Sequence, residues 1–93
     1  AVLHARLPQT PRALAVQVVS LVQQLRHMDL YKLPGVAETL DWTAALLALE
    51  QQTLTVQVVS DTLGAVLKHQ EDIEQVRGQA LEVMVTKAQS AAL

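Results

Sequence analysis

Glu38 and Asp41 are the residues of this chain most readily given a reaction to perform. Two carboxylates three positions apart lie near one face of a helix, and paired carboxylates can do general acid–base work. A plainer explanation competes. Both acids fall in the first two turns of an expected helix, where the helix dipole favours negative charge by roughly 0.3–1 kcal/mol at exposed positions. That account needs no substrate, and it is the stronger one. The three histidines, His4, His27 and His69, do not pair with one another at metal-ligand spacing, and there is no cysteine to join them. No serine sits in a Ser–His–acid motif. With glycine only at 35, 64 and 78, the phosphate-binding pattern G-x-x-x-x-G-K-[ST] cannot be written. The expectation is therefore no catalytic residue and no metal ligand. Lys68, Glu71, Asp72, Glu74 and Arg77 form a charge-rich run, with the opposite charges of Lys68–Asp72 and Glu74–Arg77 at helical spacing. Such a run reads as a solvated face, worth a few tenths of a kcal/mol per pair. Tyr31 and Lys32 differ from these. They precede a helix start in a loop, where residues are well placed to meet a ligand or another domain.

These residues need a scaffold, and composition limits what it is. Ninety-three residues make a single domain. Hydrophobic residues are 51% of the chain, nearly all Ala, Val and Leu, and Phe is absent. The core must then come from packed aliphatic helices. Charged residues are only 17%, so some apolar surface is expected to lie against a neighbour. A net charge of −2 with scattered bases lacks the basic stripe of a nucleic-acid binder. No apolar run is long enough to span a membrane, and no secretory leader is visible. Together with the absence of cysteine, this gives the expectation of a cytoplasmic protein. The chain opens Ala1-Val2-Leu3-His4, with methionine only at 28 and 84. That is read as a piece of a longer protein.

The periodicity predicts an all-α bundle of about four helices, preceded by a short helical segment within residues 1–7. Thr10 is the expected cap and Pro11 the expected first residue of the first long helix. Its inner stripe is Leu14, Val18, Leu21, Val22, Leu25 and Met28. Pro34 and Gly35 place a turn at 31–35. The next helix is predicted over about Val36 to Leu49, apolar around most of its circumference and hence central, with Trp42 as a core anchor and Tyr31 as a half-buried cover. Thr53 or Thr55 caps a third helix with a stripe of Val56, Val59, Leu63, Val66 and Leu67. Gly64 inside it costs about 1 kcal/mol relative to Ala and is explained by close approach of a neighbour, Trp42. A polar break at 69–72 leads to a fourth helix with Ile73, Val76, Ala80, Val83 and Met84 inward, weak at Arg77-Gly78. Residues 88–93 are expected to fray. Val16-Gln17-Val18-Val19-Ser20 recurs as Val56-Gln57-Val58-Val59-Ser60. One short match does not make a repeat array, and it is read as coincidence.

The run Met28-Asp29-Leu30-Tyr31-Lys32-Leu33-Pro34-Gly35-Val36-Ala37-Glu38-Thr39-Leu40-Asp41-Trp42 resembles the C-terminal helical lid of MoxR-family AAA+ ATPases, in the branch that includes CoxD-type proteins. A second match follows in the same order: Asp61-Thr62-Leu63-Gly64-Ala65-Val66-Leu67-Lys68, then Glu71-Asp72-Ile73. The resemblance covers most of residues 3–77. It implies a parent protein whose upstream α/β domain carries Walker A, Walker B and an arginine finger and holds ATP and Mg. The lid itself holds no cofactor. It would cover the nucleotide, pack on its own AAA+ core and on neighbouring subunits of a ring, and transmit hydrolysis to client proteins. The family is associated with von Willebrand factor A-domain partners and with maturation of enzymes, often metal-containing ones.

Carried over residue by residue, the resemblance puts Lys32, Gly35 and Thr39 on the lid side of the nucleotide site. One departure stands out. Many AAA+ lids place a phosphate-sensing arginine at the start of the helix after this turn, and this chain has Thr39 there. Lys32 is the substitute the resemblance offers, and Gly35 serves lid–core packing. The rival expectation is a free-standing helical interaction module with no ATPase attached.

Overall fold

Leu14, Val18, Leu21, Val22 and Leu25 recur at steps of three and four, and in the computed structural model all five are buried on one face of a helix. The structure describes residues 2–79 and 81–93. Within them lie six helices: α1 (Val2–Arg6), α2 (Arg12–Arg26), α3 (Val36–Ala48), α4 (Val56–Val66), α5 (Gln70–Gln79) and α6 (Leu81–Ala91). The all-α expectation holds. The region of the expected fourth helix is described as α5 and α6. Ala80, placed in its inner stripe, lies outside the described residues. Of the expected inward residues after it, Met84 is buried and Val83 is not. Leu81, Met84, Val85 and Ala88 are buried, while Val83 is 58% exposed.

α2 packs chiefly on α6, and α3 on α4. α4 also meets α5 and α6, and α2 meets α3. One continuous core joins these pairs, running from Leu14 to Ala88 through Trp42, Leu54 and Leu63. The radius of gyration, 12.0 Å, matches the roughly 12 Å of a folded domain of this length.

Several expectations change at element ends. α2 begins one residue later than expected, with Pro11 as its cap and no side-chain capping bond. Thr10 is buried instead, donating its hydroxyl to Leu7 O at 2.7 Å to close the turn after α1. Thr55, not Thr53, caps α4 by accepting from Val58 N at 3.2 Å. α3 ends in a left-handed residue, Glu50, with φ 58°. Gln51 N donates to Leu46 O at 3.0 Å and Glu50 N to Leu47 O at 2.9 Å, the paired bonds of a Schellman ending. In place of a frayed end over 88–93, α6 runs to Ala91, with Ala88 buried.

α3 is not central. It buries Trp42, Thr43 and Leu46 and leaves Val36 61% exposed, with Leu49 open as well. α2 touches both α3 and α6 and buries seven residues, and α4 touches α3, α5 and α6. Trp42 is fully buried as expected, but its partner is Thr62: Trp42 Nε1 donates to Thr62 Oγ1 at 2.8 Å. Gly64 is exposed, and a Cβ there would meet nothing within 4 Å. Close helix approach therefore does not account for that glycine.

Candidate functional site

The segment between α2 and α3 contains almost no regular structure of its own, so side chains from elsewhere hold it. α2 closes with short turns, His27 N to Gln24 O and Met28 N to Leu25 O. Pro34 then blocks helix at Leu33. On one side Arg26, at the end of α2, donates from Nη1 to Pro34 O at 2.8 Å. On the other, the Asp72 carboxylate in the first turn of α5 accepts from Tyr31 N at 2.8 Å and from Lys32 N at 3.2 Å. Asp72 is 1% exposed. A buried acid of this kind is retained when its oxygens are hydrogen-bonded, and here the donors are the loop's own amides.

α3 begins with a second set of contacts. Gly35 N donates to Glu38 Oε1 at 2.9 Å, the half of a capping box that a glycine can supply. A Cβ on Gly35 would sit 3.0 Å from that same oxygen. Glycine is thus fitted to the approach of the Glu38 carboxylate. Hydrogen bonds from the Gly35 and Glu38 amides, with smaller help from the Lys32 and Lys68 charges, hold the Glu38 carboxyl below its ordinary value of 4.5. Thr39 Oγ1 donates to Gly35 O at 2.8 Å, and Thr43 Oγ1 to Thr39 O at 2.8 Å.

These contacts shape one wall of an open groove of about 460 Å3. α1 contributes Leu3 and α2 contributes Val19, Val22, Gln23 and Arg26. The turn and α3 contribute Pro34, Gly35, Val36, Thr39 and Leu40. Two of the three residues expected at a site, Gly35 and Thr39, lie side by side in this lining. Lys32 does not line it. It is exposed, and its backbone is tied to Asp72. Tyr31 is 76% exposed rather than half-buried, its ring 5.7 Å from that of His69.

The groove's lining is apolar apart from Gln23, Thr39 and the Arg26 guanidinium, and it includes no acid. Among the described residues no group of three or more His, Cys, Asp or Glu is gathered as metal ligands would be. Glu38 and Asp41 differ in role, since Glu38 caps α3 and Asp41 is exposed one turn on. The charge run of α5 is also used otherwise than expected. Asp72 serves the loop, and Arg77 donates from Nη2 to Ser60 O at 2.6 Å.

Arg26 and Asp72 were not singled out as site residues by sequence. Arg26 reads as a base placed for the dipole at a helix C-terminus, and Asp72 as an acid placed for the dipole at a helix N-terminus. Only the meeting of α2, α5 and the loop reveals their partners. No helix among the described residues is long and apolar enough to cross a membrane. No family model, curated protein or solved structure matches the chain.

Proposed function

We propose that this chain is the C-terminal lid of a MoxR-like AAA+ ATPase, cytoplasmic, with the α1–α2–α3 groove turned toward its own AAA+ core. The observation that carries this reading is the Met28–Trp42 run. Its Pro34, Gly35, Val36, Thr39 and Leu40 fall together on an open apolar surface, while Trp42 anchors the same helix in the core. A lid needs that combination: a rigid helix behind and an unfilled apolar face in front. Half-exposed Val19 and more open Val36 fit a surface that is covered in the assembled protein.

The residues here fit a cover better than a grip on phosphate. The Thr39 hydroxyl is donated to Gly35 O, and the one guanidinium in the groove is bonded to Pro34 O. ATP and Mg would be held by the parent's core, with this chain closing over them and contacting the next subunit of the ring. Coupling to client remodelling or metalloenzyme maturation, and a von Willebrand factor A-domain partner, follow from the same reading. The 93 residues alone should hydrolyse no ATP; robust turnover by them would overturn it. In the parent protein, Val36→Asp should raise the KM for ATP several-fold or lower the rate while leaving the fold intact. Lys32→Ala should change nucleotide affinity or rate if Lys32 stands in for the missing arginine. A parent lacking a Walker A loop upstream would favour the rival, a helical interaction module that uses the same groove.

A further inference from the structure

We propose that Asp72 is a latch: one buried carboxylate on α5 that holds residues 31–33 of the α2–α3 loop closed, and whose loss lets them open without unfolding the core. Three observations carry this. First, the two amides that Asp72 accepts belong to consecutive residues, and both carboxylate oxygens are used, Oδ1 by Tyr31 and Oδ2 by Lys32. Second, the acid is buried while what it holds is not. Asp72 is 1% exposed, whereas Tyr31 and Leu33 are 76% and 39% exposed. Side-chain burial therefore gives these loop residues little reason to stay closed. Third, the hinges are marked. Leu30 is half-buried against the core, and Pro34 is buried with its carbonyl tied to Arg26. Opening is then confined to three residues, with a reach of at most about 3.3–3.6 Å each. A depression of about 320 Å3 lined by Asp29, Leu30, Tyr31 and Gln75 already lies beside the latch.

The consequence is a route from α5 to the exposed face of the α2–α3 loop. A pull on the first turn of α5 frees the backbone of Lys32, moves its charge and separates Tyr31 from His69. Nothing in this depends on the lid reading, because the latch is internal to the chain.

The test is amide hydrogen exchange with NMR on the full 93-residue chain, without nucleotide. In the unmodified chain the Tyr31 and Lys32 amides should exchange at least about tenfold more slowly than in a free peptide. Asp72→Asn keeps the shape but turns an NH2 group toward one of the two amides. It should speed exchange at residues 31 and 32 by about tenfold to a hundredfold, with α2 and α4 core amides within about twofold of their original rates. The His69 ring protons should lose the shift imposed by the Tyr31 ring. Unprotected amides in the unmodified chain would overturn the latch even if the variant failed to fold. So would an Asn variant with unchanged exchange at 31 and 32, or one with equal acceleration throughout the chain.

Discussion

Trp42 is the largest fully buried side chain among the described residues, and its indole N–H is the detail that fixes how it sits. Trp42 donates to Thr62 Oγ1, and Thr62 in turn donates to Val58 O at 2.6 Å. Trp42→Ala should destabilise the chain by about 3–5 kcal/mol, a large part of the 5–15 kcal/mol typical of a domain. Thr62→Val should cost about 1–3 kcal/mol, because it leaves the buried indole N–H without an acceptor. Urea melts of both variants check the ranking; a Thr62→Val cost equal to that of Trp42→Ala would contradict it. Glu38 gives a pH signature. Its folded-state pKa is lowered, so its contribution is complete above the unfolded value and is lost as pH falls through the folded one. Thermal melts should show a loss of stability on acidification through and below about pH 4.5 that is shallower in Glu38→Gln. An identical acid limb in the variant would remove Glu38 from the account.

Among the elements, the two exposed helical glycines offer the cleanest prediction. Gly64 in α4 and Gly78 in α5 have open space where a Cβ would go. Neither has a positive φ, and Glu50 does. Gly64→Ala and Gly78→Ala should each stabilise by about 0.5–1 kcal/mol, and Glu50→Gly should stabilise by a similar amount through relief of the left-handed conformation. Denaturant midpoints measure all three, and a destabilising Gly64→Ala would show a neighbour at that face. The elements also show what sequence can and cannot convey. α2's stripe and α3's limits were legible because Pro34, Gly35 and a clear three-and-four spacing act locally. The place of α3 was not legible, since Ala- and Leu-rich helices look alike whether central or peripheral. The repeated pentapeptide makes the same point. Gln17 is buried in one copy, while Gln57 in the other is exposed and donates to Asp61. Five identical residues meet different neighbours, so their burial cannot be local information. At the site, Gly35 and Thr39 were legible from the motif they belong to, whereas Asp72 acts across forty positions of chain.

At the scale of the molecule, the question is what joins the α2–α6 pair to the α3–α4 pair. Beyond the shared core, part of the join is made at the backbone of one residue, Leu54. Leu54, fully buried in the α3–α4 connection, donates its N–H to Gln17 Oε1 on α2 and accepts at its carbonyl from Gln89 Nε2 on α6 at 2.9 Å. Two glutamines thus satisfy the backbone of a buried loop residue that no helix or strand could serve. Gln17→Met keeps the volume but leaves the Leu54 N–H without a partner, which should cost about 1–3 kcal/mol. Gln89 is exposed, so Gln89→Ala should cost less, because water can replace it at the carbonyl. Both bonds hold the backbone of the same residue, on either side of its Cα, so the variants should couple. Once Gln17 is removed and the loop has relaxed, loss of Gln89 should matter less than it does alone. A double-mutant cycle on urea midpoints should then give an interaction energy of about 0.5 kcal/mol or more. Strict additivity would show that the two helix pairs are joined by the apolar core alone.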